Sequence, residues 1–424
     1  MTGREAYRRR GALVALLGLF FIAAATLLPL PQQTVASAAT PLWCLVCGDY
    51  GRVDVVHNIF LFIPLALGLR VLGLRTTTVW VGGTAISLIV ESLQLAVIPG
   101  RDASLSDLLT NSLGSWIGAA TGTALASLLS PTRKQAIRLA AGGAALWLGL
   151  LIGTGLLLRP WIPQEPLRGE WERRVHGRPG FDGKVIQAAL GGTSVPSGWA
   201  PRNAELTRKR WAGDIHLELG LRSGENATRW APVFELRGTH GSVLSVEAVG
   251  RDLTFQPPVR AYSLRLRRPA LGLPHALPAR PGTMVQLSAG RRHETLWASW
   301  TTETARGSSM LALSPSFGWS LLIPFGYAYG RELRGVTGVW IAGLLAPIAY
   351  WSGRSKPGRA RLLIALLLLL LAGLGIVPLL LGYPPVHWSE WLGGMAGFGI
   401  GWAGHRSAAY FEERCDPPSI KESC

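Results

Sequence analysis

The sequence predicts an α-helical polytopic membrane protein of eight or nine spans with an inserted, extracytoplasmic all-β sandwich of jelly-roll type. Three observations predict it. Of 424 residues, 48% are hydrophobic and 16% charged, with a mean hydropathy of +0.27. Apolar runs of about 20 residues, the length that crosses a hydrocarbon layer, lie on both sides of a middle region. Between about Gln164 and Leu311 these give way to short apolar and polar stretches parted by Gly, Pro and Asn, the rhythm of strands and turns. The first two observations exclude a soluble globular chain. The formal net charge is +17, but the excess is Arg scattered through loops rather than basic residues interleaved with aromatics. It reads as topology signal and attraction to anionic lipid, with no nucleic-acid partner.

Taken in order, Arg4, Arg8, Arg9 and Arg10 precede an apolar run from about Ala12 to Leu30, which places the N-terminus in the cytoplasm. Ala36-Ser37-Ala38 resembles a signal-peptide cleavage site, yet the run exceeds a usual apolar signal region, which favours an uncleaved anchor. The next loop, outside the membrane, holds Cys44 and Cys47, a disulfide candidate or redox dithiol. One CxxC cannot close a four-ligand zinc site, so no metal is expected, and no motif specifies a cofactor.

Further spans are expected at about Val53 to Leu72, Thr78 to Ile98, Leu105 to Leu129 and Ile137 to Leu158, with a tight outer turn at Pro99-Gly100-Arg101-Asp102. Arg70, Arg75, Arg133, Lys134 and Arg138 then fall inside, as the positive-inside rule requires. The organisation expected is a four-helix membrane domain over 1–135, a fifth helix and linker over 136–163, the sandwich over 164–312, further membrane helices over 313–405 and a cytoplasmic tail over 406–424. Strands are expected at Ile215 to Leu219, Val233 to Leu236, Val243 to Val249, Tyr262 to Leu266, Met284 to Leu287 and Thr295 to Trp300. His176, His216, His240 and His293 read as surface or edge residues rather than ligands, since no acidic pair accompanies them.

The last apolar segments, Ser314 to Gly330, Val336 to Trp351, Leu362 to Leu381 and Trp388 to Ala403, echo the first bundle at two different offsets. One sets Leu61, Ile63, Pro64, Thr77, Val79, Trp80 and Gly83 against Leu321, Ile323, Pro324, Thr337, Val339, Trp340 and Gly343. On it Phe317, Trp351 and Arg354 replace His57, Glu91 and Gln94. The other sets Ser106-Asp107, Leu109, Gly114 and Gly118 against Ser389-Glu390, Leu392, Gly397 and Gly401. The second agrees better with the positive-inside rule and gives eight crossings, with Ser314 to Gly330 short and interfacial or re-entrant.

The chemistry concentrates between Val90 and Gly118. An ionisable group inside a span costs a few kcal/mol, so Glu91 marks a functional site by default. Given the topology, His57, Glu91, Gln94, Arg101, Asp102, Asp107 and Asn111 converge on one membrane face. Glu91 with Gln94 and Asp107 with Asn111 share helix faces, and Gly114, Gly118 and Gly122 let the fourth helix approach a neighbour closely. His57, Glu91 and Asp107 are the candidate catalytic groups, a base or nucleophile and acid–base carboxylates. Gln94, Arg101, Asp102 and Asn111 are candidate substrate-binding groups, Arg101 offering a planar fork for phosphate or carboxylate. The set suits transfer or hydrolysis at a phosphoester on a membrane lipid. Blander roles stand beside these: Asp107, Ser104 or Ser106 as N-cap, Arg101 with Asp102 as interfacial anchor, His57 as helix cap. A transporter would scatter polar residues through several depths, whereas here nearly all lie at one end.

The order Asp54, His57-Asn58, then Glu91 and Gln94, then Pro-Gly-Arg, Ser104, Asp107, Asn111, Gly114 and Gly118 resembles the VanZ family over about residues 10–130. That family is named for a protein that raises resistance to the glycopeptide teicoplanin. The resemblance implies a cell-envelope role with membrane lipids or lipid-linked envelope precursors as partners, and a relation to lipid headgroup-exchanging enzymes. FDGK at Phe181 to Lys184, with the strand rhythm after it, resembles laminin-G and concanavalin-like jelly rolls, which implies a saccharide partner at the sandwich. Members with such an insertion and further spans are similar to the chain over its full length. A non-catalytic protein that binds an envelope glycan or antibiotic, with the spans as anchor, is the competing reading.

Overall fold

The computed structural model describes residues 3–28, 42–46, 48–98, 103–172, 180–198, 214–225, 227–239, 241–330, 332–356 and 358–415. Apolar helices dominate both ends of the chain. The first four are α1 (Gly3–Leu27), α2 (Gly51–Val71), α3 (Thr76–Ala96) and α4 (Leu105–Leu129), followed by α5 (Arg133–Leu157). After the β region come α6 (Leu333–Arg354), α7 and α8 (Trp388–Cys415). Helix α7 runs as Arg359–Leu370, passes through a π turn at Leu371–Ile376 and ends as Val377–Leu380. Six of these helices are long and apolar enough to cross a membrane: Tyr7–Leu27, Gly51–Val71, Thr76–Ala96, Arg133–Leu157, Leu333–Arg354 and Ala360–Leu380. Helices α4 and α8 are not among the six, because small and polar residues dilute them. Ser314 to Gly330, expected to be short rather than a full crossing, holds a 3-10 helix, Pro315–Leu321, followed by irregular chain.

The chain divides into two compact units, the first formed by Met1–Leu125, Leu157–Ala312 and Ser320–Gly330, the second by Ala126–Leu156, Leu313–Trp319 and Arg331–Cys424. The first unit holds α1 to α4 and the β region. Small residues set its helix packing. Gly18 lies against the Leu65 backbone, and Gly114 and Gly118 against Ile59 and Ile63; a carbon added at Gly118 would lie 2.8 Å from Ala66 Cβ. Ile22, Phe62, Leu65 and Val90 fill the space among α1, α2 and α3.

The β region contains two antiparallel sheets. With β1 (Arg168–Trp171), β5 (Ala227–Gly238), β6 (Gly241–Gly250), β7 (Asp252–Gln256) and β8 (Leu271–Leu273), the five-stranded sheet runs β1-β5-β6-β7-β8. The six-stranded sheet runs β11-β10-β9-β4-β2-β3, from β2 (Lys184–Leu190), β3 (Thr193–Ser194), β4 (Ile215–Arg222), β9 (Met284–Arg292), β10 (Thr295–Thr301) and β11 (Arg306–Ala312). Alternation places Leu217, Leu219, Leu221, Val285, Leu287, Leu296 and Ala298 in the core. Tyr262 to Leu266, expected as a strand, is a correction. It is a 3-10 turn over Arg260–Leu264 closed by Arg265 at φ +49°, with buried Tyr262 donating its hydroxyl to Glu165 at 2.9 Å. Its apolar spacing serves burial of a turn, which a period-of-two reading cannot separate from a strand.

The second unit is built from α5 to α8. Its helix contacts follow the second sequence offset, the one that sets Gly114 on Gly397, without a gap. Gly397 meets Ala342 and Gly401 meets Ala346 where Gly114 and Gly118 meet Ile59 and Ile63. A carbon added at Gly401 would lie 2.8 Å from Ala349 Cβ, as Gly118 does from Ala66. Pro347 stands in α6 where Pro64 stands in α2, and Gly143 of α5 packs on Ile348 as Gly18 of α1 packs on Leu65. The contacts therefore overturn the first offset: the positions matching His57, Glu91 and Gln94 are Trp340, Leu374 and Val377, not Phe317, Trp351 and Arg354.

Candidate functional site

A cavity of about 550 Å³ lies at one end of the first bundle. Its place follows from helix direction: it collects the last turns of α1 and α3 and the first turns of α2 and α4. Phe21, Ala25 and Thr26 come from α1, His57, Asn58, Phe60, Leu61 and Pro64 from α2, Glu91 and Gln94 from α3, Asp107 and Asn111 from α4, and Pro324 from beyond the β region. Five of the seven sequence-selected catalytic and binding residues thus share one lining. The other two, Arg101 and Asp102, lie outside the described residues, as do Cys47, His176 and His240. Cys44 is disulfide-bonded.

Hydrogen bonds tie the polar groups across helices. Asn58 Nδ2 donates to Asp107 Oδ1 at 2.7 Å, joining α2 to α4. The Ser104 backbone N–H donates to Glu91 Oε2 at 2.8 Å, so the segment entering α4 holds the carboxyl of α3. Gln94 Nε2 donates to the Thr26 carbonyl at 3.0 Å, joining α3 to α1. Asn111 Nδ2 donates to Ser87 Oγ at 3.0 Å. Its Oδ1 is buried without a hydrogen-bond partner among the described residues. A buried amide oxygen left so is costly, about 1–3 kcal/mol, and a ligand donor in the cavity would recover it. The N-cap alternatives resolve locally: Ser104 Oγ accepts the Asp107 N–H at 3.0 Å and caps α4, while the Asp107 carboxylate faces Asn58.

The cavity has an apolar side. Phe21 is 57% and Phe60 62% exposed, so the wall they form is also the outer surface of two spans. Glu91 at 8%, Gln94 at 7% and Asn111 at 2% form its buried floor. The arrangement presents hydrogen-bonding groups inward and hydrocarbon outward.

Around His57 the rim adds a group that sequence reasoning did not select, Arg267. His57 hydrogen-bonds the Leu322 backbone and interacts electrostatically with Asp54 and Arg267. Arg267 lies after the 3-10 turn of the β region, its guanidinium 3.7 Å from the centre of the Tyr50 ring. Nothing in local sequence links Arg267 to His57; only the return of the chain at residues 320–330 does. Asn58 lay inside the recognised motif, but its partner became visible only with α4 in place. Among the described residues no group of three or more His, Cys, Asp or Glu side chains could hold a metal.

These features are those of a multi-pass helical membrane protein with a cavity at one end of its first bundle, lined by polar groups on one side and apolar side chains on the other. Residues 14–127, which hold most of α1, all of α2 and α3, nearly all of α4 and every cavity residue except Pro324, match the VanZ/LLP1 family model. No curated protein and no solved structure matches the chain.

Proposed function

We propose that the cavity acts on the headgroup of a membrane lipid or lipid-linked envelope precursor, by phosphoester transfer or hydrolysis. The observation that carries this reading is the cavity's two-sided lining, with Glu91, Gln94, Asp107 and Asn111 inward and Phe21 and Phe60 facing the bilayer. A headgroup fits the first and an acyl chain leaves past the second. In such a reaction an attacking hydroxyl or water loses its proton as a P–O bond forms, and the departing oxygen gains one as another P–O bond breaks. His57 and Glu91 serve these two transfers, Asp107 orients through Asn58, and Gln94 and Asn111 hold substrate hydroxyls.

On this reading the chain sits in a bacterial-type plasma membrane with eight crossings, and the β region, a laminin-G or concanavalin-like sandwich, is extracytoplasmic. The disulfide at Cys44, on the same side, fits an oxidising compartment. The second bundle is a degenerate copy kept as scaffold. An envelope role, including glycopeptide resistance, follows from the VanZ likeness. The test is lipid profiling by mass spectrometry of cells carrying the full chain or Glu91→Gln. A lipid species changes with the native chain and reverts with the variant at equal expression; unchanged conversion by Glu91→Gln sinks the reading.

One observation favours the non-catalytic alternative. On the outward face of the six-stranded sheet the His216 and Trp297 rings pack 5.2 Å apart, an aromatic platform of the kind that takes a saccharide ring. If binding is the whole function, Trp297→Ala abolishes the phenotype and Glu91→Gln leaves it intact.

A further inference from the structure

The β region contributes a charged group to the cavity's rim, and that group is held as a ligand-binding group would be. Arg267 Nε donates to the Ile323 carbonyl at 3.1 Å and Nη2 to the Pro324 carbonyl at 2.8 Å. Its own backbone N–H donates to the Leu321 carbonyl at 3.0 Å. The guanidinium plane lies on Tyr50, just ahead of α2. Nη1 has no hydrogen bond among the described residues. Three contacts thus immobilise the side chain and leave one edge of the fork unused. The segment it grips reaches the cavity at both ends of the grip, since Leu322 meets His57 through its backbone and Pro324 forms part of the lining.

We propose that Arg267 is the anion-receiving residue of the cavity, taking the phosphate of a lipid headgroup on its free Nη1 edge while the rest of the headgroup reaches Glu91, Asp107 and Asn111. This rests on the reading of the cavity as a lipid-headgroup site and deepens it by making the substrate a phospholipid recognised through its phosphate. A preset guanidinium loses little rotamer freedom on binding phosphate, and its planar edge matches two phosphate oxygens. Placement at the rim also fits the chemistry. Glu91 and Asp107 inside would repel a phosphate, so the anion stays outside them and the neutral or cationic part of the headgroup goes in. Among the described residues Asp54, exposed one helical turn before His57, is a carboxylate whose charge acts on the fork, and it weakens the anion's hold there.

Binding of three probes to the purified full-length protein in neutral detergent tests this: a short-chain phosphatidic acid, the matching diacylglycerol and inorganic phosphate. Arg267→Gln is expected to weaken phosphatidic acid by about tenfold or more, the size of one charge-assisted hydrogen bond, and to leave diacylglycerol unchanged. Arg267→Lys recovers part of the loss, and Asp54→Asn tightens phosphatidic acid. If Arg267 only tethers residues 321–324, Arg267→Gln weakens phosphatidic acid and diacylglycerol equally and Asp54→Asn has no effect, which overturns the inference and leaves the lipid reading standing. Inorganic phosphate binding as tightly as phosphatidic acid would make the fork a free-anion site and also overturn it. Failure of the native protein to bind either lipid removes the lipid reading and the inference together.

Discussion

Two four-helix sets in this chain share helix contacts yet differ in what fills them. In the first, the space among the helices is a cavity floored by Glu91, Gln94 and Asn111. In the second, the matching space is occupied by Trp147, Ile341, Leu345, Ile348, Leu370 and Leu374, one apolar cluster. The substitutions are specific. At the positions of Asn58, Ser87 and Glu91 stand Ile341, Leu370 and Leu374, each buried. Asn111 is replaced by Gly394, where an added carbon would lie 2.5 Å from Leu370 Cδ2. Trp147, across from α7, packs onto Gly373 inside the π turn. Burying such side chains stabilises by about 1.5–3 kcal/mol each. The second set shows this helix arrangement with its central space filled by apolar side chains, and the first departs from it at the residues proposed to bind and react.

The largest expected effect breaks that contrast at its centre. Glu91→Gln should lower lipid conversion by about 100-fold or more, the usual weight of an acid–base group. Glu390→Gln is the control. Glu390 occupies the position of Asp107, is buried and accepts the Ser314 hydroxyl at 2.9 Å. Conversion measured by mass spectrometry should not change with it. Equal losses from both variants would mean the second set is not scaffold.

Next comes the reverse substitution. Leu374→Glu puts a carboxyl at the position of Glu91 without Ser104's N–H to receive it, at a cost of about 2.5–3.5 kcal/mol for an unpaired acid in a span. Thermal unfolding in detergent reads this as a lower midpoint. A midpoint equal to the native one would show that the second set tolerates polarity and that its apolar filling has another cause.

The helices at both ends and several strands were legible because apolar length and alternation are local properties. The α4 bounds, Gly114 and Gly118 spacing and the convergence of His57, Glu91, Gln94, Asp107 and Asn111 follow from them once direction is assigned, whereas α8 runs on to Cys415, past the expected end at Ala403, because helix formers such as Ala408 and Ala409 continue after the apolar run stops. The 3-10 turn at Arg260–Leu264 was not legible, nor were β1, β3 and β8, each of four residues or fewer and so too short to show alternation, β1 in addition pairing with the distant β5. The two offsets between the bundles competed on identity alone, since Leu, Val and Gly recur in any apolar helix. Close backbone approach at Gly397 and Gly401 is what separates them. Arg267 was invisible for the same reason: its contacts with Tyr50, Ile323 and Pro324 join three remote stretches of chain.

A third variant trades function for stability. Ser87→Leu combined with Asn111→Gly gives the first set the residues of Leu370 and Gly394, removing the unpartnered Asn111 Oδ1 and the hydrogen bond to Ser87. The unfolding midpoint should hold or rise, because a polar pair is exchanged for apolar contact. Lipid affinity should fall by about tenfold through the lost amide. Retained affinity would exclude Asn111 from the binding surface.

The smallest effect concerns how the acid is held. Ser104 serves twice, its backbone N–H on Glu91 and its hydroxyl on the Asp107 N–H. The second set puts His387 at that position, its Nδ1 2.9 Å from the Ser389 hydroxyl, so the capping hydroxyl is not shared. Ser104→Ala removes the cap and keeps the backbone donor. Stability should drop by about 1 kcal/mol, an ordinary N-cap loss, read from the unfolding midpoint, while lipid conversion stays within about twofold of native, less than 1 kcal/mol on the barrier. A fall in conversion comparable to that of Glu91→Gln would move the Ser104 hydroxyl from the helix end into the reaction, because the alanine variant leaves Glu91's own contact in place.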